Sequence, residues 1–455
     1  MAERVARTFR MVYVFSMSSP EWSNVLELYR QIVCRGVVQY LSQQAELRVK
    51  RGIYTAQVVM WLMILQALQK GGTLAGAVEL LRQGAAQPLL HRCRRVRREQ
   101  ISPRTGGYCQ ARLKLSKLLC KHVSQEILER LRQMLNPEGT PPVLVLDGTS
   151  LELEHTRGLE RQFPPAQNQH GRSHWPVLRL VVLHEAGTGL AHQPCWGPMY
   201  GPLAVSEQAL AEKALEAAPR EALIVGDRNF GVFSIAYAAQ QRGLEVLVRL
   251  TQVRAEKLVG AICHPDTYEV IWKPSPEERR KHGLPEDAAV AGRLITAQIG
   301  RGKSKTWLYL FTTSQRTAQE LVALYGQRWN IETDLRSLKR TVQLHHIPAR
   351  SVDMMEKHLL MAISAYNLVR AVLCLAARRK RLDPRQLSFT QVLTVVDCAW
   401  HRLVTATNTE QADREFRRVL DRAAECRLPR RTKPRSYPRQ QWHRGGERRF
   451  RKAEN

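Results

Sequence analysis

Two aspartates and a glutamate stand where a carboxylate has chemical interest. Asp147 follows the apolar run of "PPVLVLDGTS" (141–150), and Asp227 closes that of "EALIVGD" (221–227). Each is therefore expected at the C-terminal end of a strand buried on both faces. A carboxylate there is costly unless something neutralises it. If the two strands are parallel neighbours, both carboxylates leave one edge of a sheet within reach of a divalent cation. Their separation of 80 positions suits a hairpin and a helix. Each also has a plainer reading: Asp147 as a turn cap before Gly148-Thr149-Ser150, and Asp227 as the cap of the helix that follows.

The third carboxylate lies in "YGQRWNIETDLRSLK" (325–339), where Tyr325, Arg328, Glu332 and Lys339 recur at steps of three, four and seven. On one continuous helix these side chains share a face. Folded over the sheet edge, Glu332 would complete an oxygen-only site suited to Mg²⁺ or Mn²⁺. Tyr325, Arg328 and Lys339 would offer a hydroxyl, a bidentate fork and a point charge to phosphates. Two ions in such a site activate the attacking oxygen and stabilise the leaving one. Spacing alone is equally compatible with a solvated helix face held by i,i+4 pairs such as Arg328 and Glu332, worth about 0.2–0.5 kcal/mol each.

The surrounding elements fall into distinct textures. Residues 20 to about 135 read as helical, with "TAQVVMWLMILQALQK" and "LAGAVELLRQGA" parted by Gly71-Gly72. Within this part "HRCRRVRR" (91–98) holds Arg94, Arg95, Arg97 and Arg98, the footprint expected of phosphate contacts or of a solvated basic face. From Pro141 strands dominate. "WPVLRLVVLH" (175–184), "TGLAHQPCW" and "EVLVRL" (245–250) join the two Asp strands, with helices at "SEQALAEKALEAA" and "VFSIAYAAQQRG" between them. Residues 251 to about 304 read as a mostly β insertion with "PSPEERRKHGLPED" as a polar loop. "TWLYLFTT" (306–313) then returns as a strand. Residues 355–380 read as an amphipathic helix. The tail, 427–455, carries eleven Lys or Arg against two Glu and is expected to stay disordered until it meets nucleic acid.

Bulk composition agrees with a polyanionic partner: 70 Lys and Arg face 41 Asp and Glu over 455 residues, giving +29 and a pI near 10.3. The nine cysteines are scattered without a Cys-x-x-Cys pair, which argues against a disulfide framework or a zinc site. "VVMWLMIL" is too short to span a bilayer, and the first residues lack the apolar core of a signal peptide, so a cytoplasmic protein with no membrane partner is expected.

Taken together, "YGQRWNIE…LK", "LVLDGTS" and "LIVGDRNF" resemble the DDE transposases of bacterial insertion sequences, in the group marked by a Tyr-Arg-Glu-Lys motif. "KRGIYTAQVVMWLMILQAL", "GGYCQARLKL", "HWPVLRLVVLHEAGTGL" and "AYNLVRAVL" extend the likeness over most of the chain. The resemblance implies an α/β protein. Its parts would be a helical DNA-binding domain (1–138), a ribonuclease H-like core with a five-stranded mixed sheet (139–354), a β-rich insertion (251–304), a helical region able to dimerise (355–426) and the tail. It implies Asp147, Asp227 and Glu332 as ligands of two Mg²⁺ ions, with Mn²⁺ able to substitute. Tyr325, Arg328 and Lys339 would lie on transposon-end DNA, and Trp307, just upstream, on an extruded base. A homodimer on double-stranded DNA, cutting at inverted repeats and joining the ends to a target, is the implied activity. A catalytically silent or co-opted DNA-binding relative is the alternative.

Overall fold

The structure is a computed structural model. It describes Tyr29 and residues 52–429, apart from short stretches at 70, 91–92, 170, 261, 263–264, 300–305, 342–343, 345 and 405–408. The helix expected from residue 20 lies outside the described residues save Tyr29, as does the tail beyond 429.

The helical part opens with α1 (Ala56–Leu68), capped by Thr55 and buried along nearly its whole length. It continues through α2 (Leu74–Arg82), α3 (Gly106–Lys114) and α4 (Lys117–Leu135), the last capped by Ser116. The sheet begins with β1 (Val143–Leu153), followed by β2 (Val177–Glu185) and β3 (Cys195–Pro198). Then come α5 (Glu207–Leu215), β4 (Leu223–Gly226), α6 (Phe233–Gln240) and β5 (Glu245–Leu250). β2 is antiparallel to β1 and to β3, whereas β4 is parallel to β1 and to β5. The resulting order β3-β2-β1-β4-β5 is consistent with the ribonuclease H-like core expected from the sequence.

The insertion departs from a mostly β reading. It alternates α7 (Gln252–Val259), β6 (Thr267–Trp272), α8 (Pro276–His282) and β7 (Val290–Ile299). The segment taken as a polar loop begins with a capping box, Ser275 with Glu278, and stops at Gly283 in the left-handed region. Its strands extend the main sheet rather than forming a separate one. β8 (Thr306–Thr312) pairs antiparallel with β5, and β7 and β6 follow outward. After α9 (Ala318–Gly326) and α10 (Trp329–Arg336) the chain makes a π-helical turn over Ser337–Thr341, and a short strand β9 (His346–Ile347) pairs with β1.

Side-chain alternation along β1 separates two faces. Leu144 and Leu146 pack with α5 and α6. Val145 packs with Leu321, Tyr325, Ile331 and Leu335 of α9 and α10, and Leu151 and Leu153 join the helical cluster. That cluster also takes in α1–α4 and the C-terminal helices α11 (Val352–Arg379), α12 (Phe389–Val404) and α13 (Thr409–Glu425). The N-terminal and C-terminal helical parts therefore share one core. α11 is not amphipathic, as its sequence suggested, but buried on nearly all sides. Among the described residues it is the one helix long and apolar enough to cross a membrane, and 94% of its apolar window is covered by the rest of the protein. A helix so enclosed has no free face for a partner subunit; α12 and α13 keep exposed outer faces.

Candidate active site

The pairing register places the two aspartates side by side. Leu146 lies opposite Gly226, so the next residue of each parallel strand is Asp147 or Asp227. Asp147 is not at a strand end, as expected, but mid-strand: β1 runs on to Leu153 while its β4 neighbour stops at Gly226. The carboxylate thus appears at the notch where the shorter strand gives out. It accepts the Gly148 N–H at 2.8 Å, and Asp227 accepts the Asn229 N–H at 2.7 Å in an Asx turn. Gly231 brings the following loop so close to β5 that a Cβ there would stand 2.1 Å from the Arg249 carbonyl oxygen. Asp227 is likewise lateral to Arg249, since Gly226 pairs with Val248.

Burial, opposed by the Gly148 N–H, then the Asp227 carboxylate, push the Asp147 carboxyl up to about 6. Arg328 pulls it down and Glu207 pushes it up, so these two groups also stand within electrostatic reach. Glu207 has no counterpart in the sequence reading. It is the first residue of α5, behind the Ser206 cap, on the sheet face opposite α9 and α10. A Cβ on Gly148 would fall 1.6 Å from its carboxylate oxygen, so the glycine is what admits it. The Asn229 amide donates to Glu207, and Gln208 donates to the Asn229 carbonyl and side-chain oxygens at 3.1 and 3.0 Å. Burial and Asp227 raise the Glu207 carboxyl. A charged residue at a helix start, eliding into the ordinary pattern "SEQAL", carried no signal; Arg249, a cation inside the buried run "EVLVRL", did.

The motif around Glu332 is not one helix. α9 ends at Gly326, and Gln327, Arg328, Asn330 and Ile331 each donate to the carbonyl three residues back, a tighter winding than the α-helix. Tyr325, Arg328 and Lys339 turn toward the sheet while Glu332 is exposed, so the four side chains do not share a face. Tyr325 is buried beneath the joint, its hydroxyl raised by burial and pulled down by Arg328 and Arg249. Arg328, half-buried, lies 5.7 Å from the ring centre of the exposed Trp329. Lys339, beyond α10, reaches β1 and donates to Thr149 at 3.1 Å. Glu332 is exposed on α10.

Asp147, Asp227, Tyr325 and Arg328 are thus gathered on one sheet face, with Lys339 two residues further along β1. Among the described residues no three His, Cys, Asp or Glu side chains converge tightly enough to enclose an ion, so Glu332 does not close on the aspartate pair as placed. Trp307 pairs with Gln298 and packs half-buried against the apolar cluster on the opposite sheet face. Arg94, Arg95, Arg97 and Arg98 lie in and just after a four-residue helical turn, all exposed and remote in sequence from this centre. Two partly buried carboxylates side by side, their mutual repulsion only partly offset by Arg328, and hard oxygen donors only, suit a divalent cation.

Residues 138–368 match the transposase DDE domain family. The chain is also 27% identical over 259 residues to the transposase InsG for insertion sequence element IS4 of Escherichia coli (strain K12). That similarity covers 55% of this chain and 56% of the relative. With a DDE-domain match over half of its length, the chain belongs to the DDE transposase family.

Proposed function

We propose that this protein cuts the terminal inverted repeats of its insertion sequence and joins the freed ends to target DNA, working as a homodimer on paired ends. The observation that carries the reading is the lateral register of Asp147 and Asp227 at the notch where β4 ends, facing the helices that hold Tyr325, Arg328 and Glu332. Asp147, Asp227 and Glu332 would hold Mg²⁺ or Mn²⁺, two ions per site. Bound there, the ions supply Lewis acidity to the attacking and leaving oxygens of an in-line phosphoryl transfer. The chain's own residues hold the DNA: Arg328 and Tyr325 beside the aspartates, Lys339 further along β1, and the Arg94–Arg98 patch at a distance. Water, and then the 3′-hydroxyl of the cut strand, serves as nucleophile, so no protein side chain needs to attack. Glu332 comes to the aspartates by rotation of its own side chain when cation and DNA are bound, in keeping with its exposure.

The test mixes purified protein with DNA from the element's ends and Mg²⁺. Asp147→Ala, Asp227→Ala and Glu332→Ala should each cut strand cleavage by at least about 1,000-fold, the loss of several kcal/mol of charge stabilisation, while end binding persists. Wild-type protein that binds ends but never cuts with Mg²⁺ or Mn²⁺ would reduce the chain to a DNA-binding relative.

A further inference from the structure

Two residues beyond Glu332, Asp334 is almost wholly buried. Its partners come from the far end of the chain. Arg385, in the single turn Pro384–Gln386, grips both carboxylate oxygens from Nη1, at 2.8 and 2.7 Å. Its remaining donors go to backbone oxygens at the end of β2: Nε to Ala186 at 2.9 Å, and Nη2 to Ala186 at 2.7 Å and Glu185 at 3.1 Å. Arg370 of α11 stands 3.7 Å from the same aspartate and donates to the Thr188 carbonyl at 2.9 and 2.5 Å. It fits because residue 189 is a glycine at φ +74°, where a Cβ would lie 2.1 Å from the guanidinium.

One buried carboxylate therefore ties three separate pieces together: α10, the turn after β2, and the C-terminal helices. For fold stability alone this is a poor design, since apolar residues in such a place are often as stabilising as a buried ion pair. What a planar guanidinium adds, with Nη1 on the carboxylate and Nε and Nη2 on the backbone after β2, is a defined orientation. The helix it orients carries Glu332, and that helix follows a tight joint at Gln327–Arg328 rather than a rigid continuation of α9. Apart from its apolar contacts Ile331 and Leu335, α10 has few other anchors of its own.

We propose that Asp334, clamped by Arg385 and Arg370, is a positioning residue that sets the rotation and depth of α10, so that Glu332 can close on Asp147 and Asp227. The inference rests on the metal-dependent cleavage proposed above. It makes the C-terminal helices part of the reaction centre's frame, although none of their side chains touches the reacting atoms.

The experiment compares full-length wild type with Asp334→Asn, Arg385→Ala, Arg385→Lys and, as a control for general destabilisation, Val419→Ala in the core contact of α13. Melting temperature, end-DNA affinity, single-turnover cleavage and the Mg²⁺ concentration for half-maximal rate are measured for each. Asp334→Asn and Arg385→Ala should bind end DNA within about threefold of wild type yet cleave on the order of 100-fold more slowly, the cost of displacing a reacting group by about 1 Å. Their half-saturating Mg²⁺ should rise. Arg385→Lys, which keeps the charge and loses the fork, should fall between. Val419→Ala should lower the melting temperature without either kinetic change. Wild-type cleavage in Asp334→Asn or Arg385→Ala overturns the inference, as does an equal rate loss in Val419→Ala. Should Asp334→Asn and Arg385→Ala fail to fold, an unimpaired Arg385→Lys overturns it. Wild-type protein that cannot cut removes the nuclease reading first, and this inference with it.

Discussion

At the scale of single residues, Asp147 shows what two partly buried carboxylates side by side cost the fold. Its carboxyl is pushed up to about 6 by burial, opposed by the Gly148 N–H, and by Asp227, against 3.8 in an unfolded chain. Between those values the native state holds a proton that the unfolded chain has released. Metal-free stability must therefore fall as pH rises from about 4 to 6, with the penalty complete above 6. Asp147→Asn removes the ionisation and with it that part of the slope. In EDTA, the variant should melt above wild type at pH 7 and lose most of that advantage at pH 4. Added Mg²⁺ at pH 7 should raise the melting temperature of wild type and leave Asp147→Asn unmoved. Equal melting curves at both pH values would show that the aspartate pair is not under charge strain.

At the scale of elements, the structure separates what local pattern can show from what it cannot. The parallel strands β1, β4 and β5 were legible because buried parallel strands are written as short apolar runs between turn residues, as in "VLVL" and "LIVG", and β2 shared that texture. "TGLAHQPCW", read as the third strand, overlaps β3 only at Cys195 and Trp196. The length of β1 was not legible, since Gly148-Thr149-Ser150 looks like a turn and is held in the strand by pairing with β2. The joint within the Tyr-Arg-Glu-Lys segment was hidden for another reason: helical spacing assumes an unbroken helix, and Gly326 was the single sign against one. α8 was misread although Ser275, Pro276, Glu278 and Gly283 spell a start and a stop. Glu207 could not be found at all, because its role depends on the absent side chain of Gly148. α11 was read with the wrong surroundings, since its polar residues point inward to fixed partners. Asn367 is the clearest: its side chain accepts from the Ala191 N–H and donates to the Ala191 carbonyl, both at 2.8 Å, as a strand neighbour would. Asn367→Ala leaves both backbone groups buried without these bonds, and should lower unfolding free energy by about 2–4 kcal/mol in urea denaturation. A loss below about 0.5 kcal/mol would mean that α11 is not docked on the sheet through this residue.

At the scale of the molecule, the excess of +29 must find counter-charge, and where it sits decides how the protein meets DNA. A few arginines are engaged inside the fold. Arg370 and Arg385 hold Asp334, Arg132 holds Glu185, and Arg378 bonds the last carbonyls of α4. Arg94, Arg95, Arg97 and Arg98 differ: all four are exposed, and among the described residues none forms an ion pair. Because the N-terminal helices share a core with α11, this patch is carried on the same packed body as the sheet. A phosphate gripped there would be held in fixed relation to the aspartates. Neutralising a phosphate releases condensed counterions, and each contact contributes about 0.9 to the slope of log affinity against log salt. Replacing the four arginines with alanine should therefore flatten that slope by about 2–4 in anisotropy titrations between about 50 and 300 mM salt. Contacts to phosphate position DNA without reading bases, so affinity for end and random DNA should fall by the same factor. An unchanged slope would return the patch to the solvent. A loss confined to end DNA would mean that these arginines read base edges.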